Sequence, residues 1–270
     1  MAPVVEKIQE IPNIQLGEGP HWDIATQSLY FVDIFGKAIH KYVPATGKHT
    51  KAVFDKPVSL IVPVKGQRNK FVISLEREVY VVTWDGESEK ASSLSKLGEV
   101  DQGTQTRIND GKCDPKGRLW FGTMGAEPVY GQVEPNSGSF FSYSNSKITT
   151  HLTKVGISNG SIDQFDIKLE TGEISNRQAI FTLNKHNIDG VPDGMTIDAD
   201  GNLWVAIFNG YKVLKINPRK PETLIQTVDI PAKQTTSVAW GGPNLDILYV
   251  TSASFTVDGV KGLPADEFVL

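Results

Sequence analysis

The chain has 270 residues, 39% of them hydrophobic and 21% charged, and a net charge of −4. Such an ordinary soluble composition is enough for one large domain with a real core, and the missing basic excess argues against nucleic acid as a partner. A single cysteine, Cys113, excludes an internal disulfide framework and suits a reducing compartment.

The N-terminal stretch MAPVVEKIQEIPNIQLGEGP has no apolar run long enough for a signal peptide. No segment approaches the ~18 apolar residues of a membrane span. The reading therefore expects a cytoplasmic protein with no membrane partner. Strand-like runs rich in Val, Ile, Phe, Tyr and Trp follow in chain order: SLYFVD (28–33), AIHKYV (38–43), KFVISL (70–75) and EVYVVTW (78–84). The polar segment 86–106 reads as a long surface loop. Strands resume with RLWFGTM (118–124), SFFSYS (139–144), NLWVAIF (202–208), YKVLKI (211–216) and DILYVTS (246–252).

A repeat links these runs. A turn precedes a hydrophobic strand at Leu29, Phe71, Leu119, Leu203 and Leu248, and successive markers lie 42, 48, 84 and 45 residues apart. A period of ~40–50 residues fits a four-stranded propeller blade. The double step implies an unmarked unit beginning near Ser158-Asn159-Gly160. The fold expected is thus all-β, a six-bladed β-propeller forming a single domain over 1–270.

In a propeller, the turns before the innermost strands converge on one mouth. Four such segments carry a polar residue before glycine: Glu18-Gly19, Asp110-Gly111, Asn159-Gly160 and Asp193-Gly194. Carboxylate and amide oxygens suit a hard divalent cation. The same dipeptides are ordinary turn formers, so residue chemistry alone leaves both readings open.

Other motifs are weaker. Gly156-Ile157-Ser158-Asn159-Gly160 spells a nucleophile elbow, but no helical period follows Ser158 as that motif requires. Asp198, Asp200 and Asn202 imitate the start of an EF-hand loop, yet Leu203 stands where glycine is needed. That stretch and DPKGR (114–118) read as turns. The histidines are scattered without zinc-ligand spacing, and His21-Trp22 reads as part of a strand.

Together, LGEGPHWD, RINDGKCDPKGRLWFGTM, GISNG, TGEISNRQ, VPDGMTIDADGNLWVAIFNG and TSVAWGGPNLDILYVTSA resemble the senescence marker protein / gluconolactonase / regucalcin family. APVVEKI and SLEREVYVVTWDG look most like its insect branch, which includes luciferin-regenerating enzymes. The resemblance implies a six-bladed propeller with one divalent metal ion (Ca, Zn, Mn or Mg) in its mouth. It implies Glu18, Asn159 and Asp193 as metal ligands, with Asp193 also the catalytic base. Arg107 would hold the substrate's polar groups, Asn109 would be a ligand or substrate contact, and Glu127 aligns near a substrate-contact position. The implied activity is hydrolysis of lactone-like small molecules, or in the insect branch conversion of oxyluciferin, by a monomer or weak dimer. The sequence departs from the family in two places. A strand pair is missing after Asn159, and the last blade lacks its outer strand after Gly259. Both blades are therefore expected to be incomplete, and the alternative reading is a non-catalytic calcium-binding propeller or a shortened, inactive member.

Overall fold

Runs of β-branched and aromatic residues between turn formers give an all-β chain. The computed structural model describes residues 3–11, 14–127, 133–156 and 160–254, plus the backbone of 256–257, 260–261 and 268–269. After β1 (Glu6–Lys7) comes a meander of β2 (Gly17–Asp23), β3 (Ser28–Asp33), β4 (Ala38–Val43) and β5 (Lys48–Val53). The next is β6 (Ile61–Pro63), β7 (Lys70–Leu75), β8 (Glu78–Thr83) and β9 (Ser93–Glu99). A third holds β10 (Arg107–Cys113), β11 (Leu119–Met124), β12 (Gly138–Ser144) and β13 (Lys147–Val155).

Then the pattern breaks. β14 (Ser161–Lys168) and β15 (Glu173–Thr182) form a two-stranded sheet, followed by a short 3₁₀ turn at Leu183–His186. β16 (Val191–Ile197), β17 (Leu203–Phe208), β18 (Lys212–Ile216) and β19 (Leu224–Asp229) belong to an eight-stranded sheet. The same sheet holds β20 (Gln234–Gly241), β21 (Ile247–Ala253), β24 (Phe268–Val269) and β1. β22 (Thr256–Val257) and β23 (Val260–Lys261) pair separately.

The expected six blades are not what forms. The propeller has a four-blade arrangement, three four-stranded sheets and one of eight strands, with two-stranded pairs beside them. The repeat counts turn-plus-strand units, whereas a sheet is bounded by where its edges pair. One pair, Phe208↔Gln234, joins β17 to β20 and fuses two runs into one sheet. The outer positions beside β21 are taken by β24 and then β1, each two residues long. Segment 86–106 is also not all loop, since β9 lies within it and pairs with β8. The polar face of β9 is exposed, which hides its strand character from a hydrophobicity reading.

Packing between sheets sets the core. SLYFVD in β3 is buried along its whole length, because neighbouring sheets cover both of its faces. Tyr30, Ile39, Phe71, Ile73 and Trp84 join the first meander to the second. Leu60, Val79, Ile108, Phe121 and Phe141 join the second to the third. Ile162 and Phe181 of the two-stranded sheet pack on Val205, Ile207 and Leu214. Among the described residues, no hydrophobic cluster joins β10–β13 to β14–β15. Polar contacts cross there instead: Arg118 donates to the Leu169 carbonyl at 3.2 Å and Lys116 pairs with Glu170 at 2.8 Å.

Candidate metal and substrate site

A cavity of about 950 Å³ opens between the sheets, and Glu18, Asp110 and Asp193 reach it from β2, β10 and β16. Register breaks aim these residues. The ladder shifts between Glu18 and His21, between Ile108 and Asp110, and between Pro192 and Met195. A fourth shift, between Thr235 and Ser237, brings Ser237 to the same cavity. A bulge bends its strand and re-aims a side chain that the regular pleat would send elsewhere.

The glycine after each carboxylate has a second use beyond turning. Gly19 donates its N–H to Glu18 Oε2 at 3.0 Å, and Gly111 donates to Asp110 Oδ1 at 2.7 Å. The Gly194 N–H likewise supports Asp193. Gly19 sits at φ +54°, which disfavours a side chain, and a Cβ on Gly194 would overlap Ser237. The polar-residue-plus-glycine pattern therefore reflects both backbone geometry and an N–H aimed at a carboxylate.

Electrostatically the site is strained towards negative charge. Burial, then Asp193 and Asp110, hold the Glu18 carboxyl well above its usual range. Burial and then Asp110 push Asp193 up to about 8, against the pull of the Gly194 N–H and Arg107. Burial also raises Asp110, opposed by the Gly111 N–H and Lys112. Deeper in, burial and then Lys112 lower His21 to about 4, while burial lowers Lys112 itself. Lys112 Nζ donates to the Met195 carbonyl at 2.9 Å, spanning from β10 to β16.

The other expected residues divide. Arg107 and Asn109 both line the cavity, and Arg107 donates to Asn109 Oδ1 at 3.0 Å and lies over the Phe35 ring at 5.9 Å. Glu127 is half-buried in the cavity wall. Asn159 and Ser158 lie outside the described residues. Among the described residues, no three His, Cys, Asp or Glu side chains form a ready-made metal cage. Asp110 was not among the site residues expected from the resemblance, although its Asp-Gly pair shares the pattern of Glu18 and Asp193. The two stretches read as turns, 114–118 and 198–202, are turns. Asp114 and Asp198 each accept from a tryptophan indole at 3.0 Å, and each closes its loop with a backbone bond of 2.9 Å to residue 118 or 202.

The chain is similar to known proteins over most of its length. Residues 16–162 and 160–254 match the SMP-30/Gluconolactonase/LRE-like region, in two pieces that meet where β14 begins. Regucalcin of Xenopus laevis is 34% identical over 264 residues, spanning 90% of this chain and 85% of the relative. Human regucalcin is 34% identical over 266 residues, spanning 91% and 86%. A solved luciferin-regenerating enzyme superposes with a TM-score of 0.93 at 43% identity, covering 99% of this chain and 95% of that one. A regucalcin from Agrobacterium tumefaciens, described as a calcium-binding protein, shares the fold with a TM-score of 0.85 at 23% identity, covering 99% and 93%.

Proposed function

The chain belongs to the SMP-30/gluconolactonase/LRE-like family, and from that premise we propose that it is a divalent-metal-dependent hydrolase of lactone-like small molecules. One observation carries the reading. Three carboxylates from three strands face one cavity, where burial, and for Glu18 and Asp193 the neighbouring carboxylates as well, disfavours their negative charge, which is an arrangement that a cation would relieve. The donor chemistry fits a hard divalent ion, because Glu18 and Asp193 offer carboxylate oxygens to the cavity. Asn159 is the third donor that the family resemblance supplies. No helix among the described residues is long and apolar enough to cross a membrane.

A bound cation would polarise the ester carbonyl and make a water molecule more acidic. The residues would do the rest. Glu18 and Asp193 would hold the ion, and Asp193 would take the proton of the attacking water at its carboxylate. Arg107, aligned by Asn109 Oδ1, would donate to the oxygen on which negative charge develops. Gly19 and Gly194 would keep the two carboxylates from rotating away.

The test uses purified protein with glucono-1,5-lactone, before and after chelation and re-addition of Ca²⁺, Mn²⁺, Mg²⁺ or Zn²⁺. Hydrolysis should vanish on chelation, and Asp193→Ala should lower kcat/KM by about 10²–10⁴-fold, the range for loss of a general base. Equal, slow hydrolysis by the wild type and the variant would sink the reading for that lactone. Oxyluciferin is the second substrate to assay, because a neighbour at 43% identity carries the name luciferin-regenerating enzyme.

A further inference from the structure

Arg107 is the first residue of β10, and the chain reaches it through the loop 100–106. A side chain at the start of a strand points where the preceding loop lets it, so whatever fixes that loop also aims the guanidinium. Asp101 is half-buried in this loop and stands behind the cavity rather than in its lining. Its backbone sits at φ +47°, a left-handed conformation that persists away from glycine only where surrounding contacts hold it.

Those contacts use both carboxylate oxygens. Thr123 Oγ1 of β11 donates to Asp101 Oδ2 at 2.6 Å, and Ser139 Oγ of β12 donates to Oδ1 at 3.2 Å. Thr106 Oγ1 reaches Oδ2 at 3.3 Å. All three hydroxyl-bearing residues are buried. Thr123 Oγ1 also accepts the Ser139 N–H at 2.8 Å, which closes a ring of hydrogen bonds through β11, β12 and the carboxylate. An aspartate that only shapes a turn bonds to donors within that turn. Two of the partners of Asp101 lie 22 and 38 residues further along the chain, on strands of the third meander.

The two ends of this clamp meet residues that the site uses. Thr106 directly precedes Arg107. Across the β10–β11 ladder, Thr123 pairs with Ile108 and Met124 with Arg107. Beyond Met124 the chain follows the cavity wall to Glu127. Glu18 and Asp193 stand on other strands, β2 and β16. Asp101 therefore ties together the segments that carry Arg107 and Glu127, and leaves the cation-holding pair to other sheets.

We propose that Asp101 is a positioning residue, whose clamp on Thr106, Thr123 and Ser139 aims the Arg107 guanidinium into the cavity. The proposal rests on the lactone reading for what Arg107 meets there, and on the clamp alone for how Arg107 is aimed.

The test reads Arg107 directly. Phenylglyoxal labelling of each arginine is followed by peptide mass spectrometry, with Arg177 and Arg219 as references outside the third meander. Asp101→Asn is the first variant, because asparagine tolerates the same backbone. Thr123→Val removes the shortest bond of the clamp, and Thr123→Ser keeps it. Glucono-1,5-lactone hydrolysis is measured alongside, and melting temperatures identify any variant that fails to fold. Asp101→Asn and Thr123→Val should label Arg107 about threefold faster or more, with Arg177 and Arg219 unchanged, and should lower kcat/KM about tenfold, within the range for a misplaced polar group. Thr123→Ser should match the wild type. If the wild type hydrolyses no lactone but the labelling follows this pattern, the positioning role stands and the hydrolase reading falls. If the lactone is hydrolysed and every folded variant matches the wild type in labelling and kcat/KM, the positioning role is overturned while the hydrolase reading survives. Faster labelling of all three arginines alike would show general loosening and would also overturn it.

Discussion

At Asp193 the folded chain holds a proton that the unfolded chain releases, since its carboxyl is raised from 3.8 to about 8. The sign follows from proton binding. The metal-free protein has this contribution in full below about pH 4 and loses it as pH rises towards 8. A cation competes with that proton, so the gain in melting temperature on adding Ca²⁺ or Mn²⁺ should be larger at pH 8 than at pH 6. Equal gains at both values would contradict the placement of the ion on Asp193. Asp110 is the largest charge acting on Asp193. Asp110→Asn should therefore stabilise the chelated protein at pH 8 yet weaken metal binding, by about 10–100-fold if it acts as an outer-shell partner. Calorimetric titration against the wild type checks both directions. The sequence placed Asp110 in the same pattern as its two neighbours, but only the register break after Ile108 shows that it, too, is turned inward.

Most strands were legible because their runs are apolar throughout or alternate cleanly. SLYFVD, AIHKYV and KFVISL form β3, β4 and β7 with the expected ends. β9 was not legible, because SLSKLGE faces solvent along most of its length and its pairing with β8 carries it. The bulges were invisible as well, being a property of two strands read together. Their effect is testable at Gly194, where a side chain would overlap Ser237. Gly194→Ala should cost about 1–3 kcal/mol, the scale of local overpacking, and displace Asp193 with β16. Ser237→Gly should restore part of that loss in the double variant, the Ser237 Cα remaining 2.8 Å from the added Cβ. A double-mutant cycle of urea midpoints measures the coupling, and strict additivity would show that the two residues do not compete for the same space.

Across the whole molecule, the repeat period predicted the all-β propeller but miscounted its blades. Spacing along the chain counts units, while blade number depends on edges meeting, and the single pair Phe208↔Gln234 was beyond any one-dimensional reading. Stability should also carry an acid limb. His21 and His49 are each lowered from 6.5 to about 4, chiefly by burial, and burial, then the neighbouring His49, lowers His40 well below its usual value. The unfolded chain therefore takes up protons that the folded one refuses, and stability should fall as pH drops from about 6.5 towards 4. Urea midpoints at pH 7, 5.5 and 4.5 test this, and His49→Gln should flatten the slope. The closure between β2 and β20 is also polar. Thr236 donates to the Gly17 carbonyl at 2.6 Å in a fully buried setting. Thr236→Val should cost about 1–3 kcal/mol by leaving that carbonyl unpaired, and should speed amide exchange in β2 and β20 before other strands.

The pairing of Glu6 with Val269 sets a timetable for synthesis. As the chain leaves the ribosome, β2–β5 and then β6–β9 can each close as local hairpins, but β1 must wait for β24. Gly17 likewise offers its carbonyl long before Thr236 exists to meet it. The seam thus stays unfinished until β20 and β24 have been made, and its closure is a long-range event. Any delay in the final segment would expose that seam to chaperones and to neighbouring chains while the first meanders are already built.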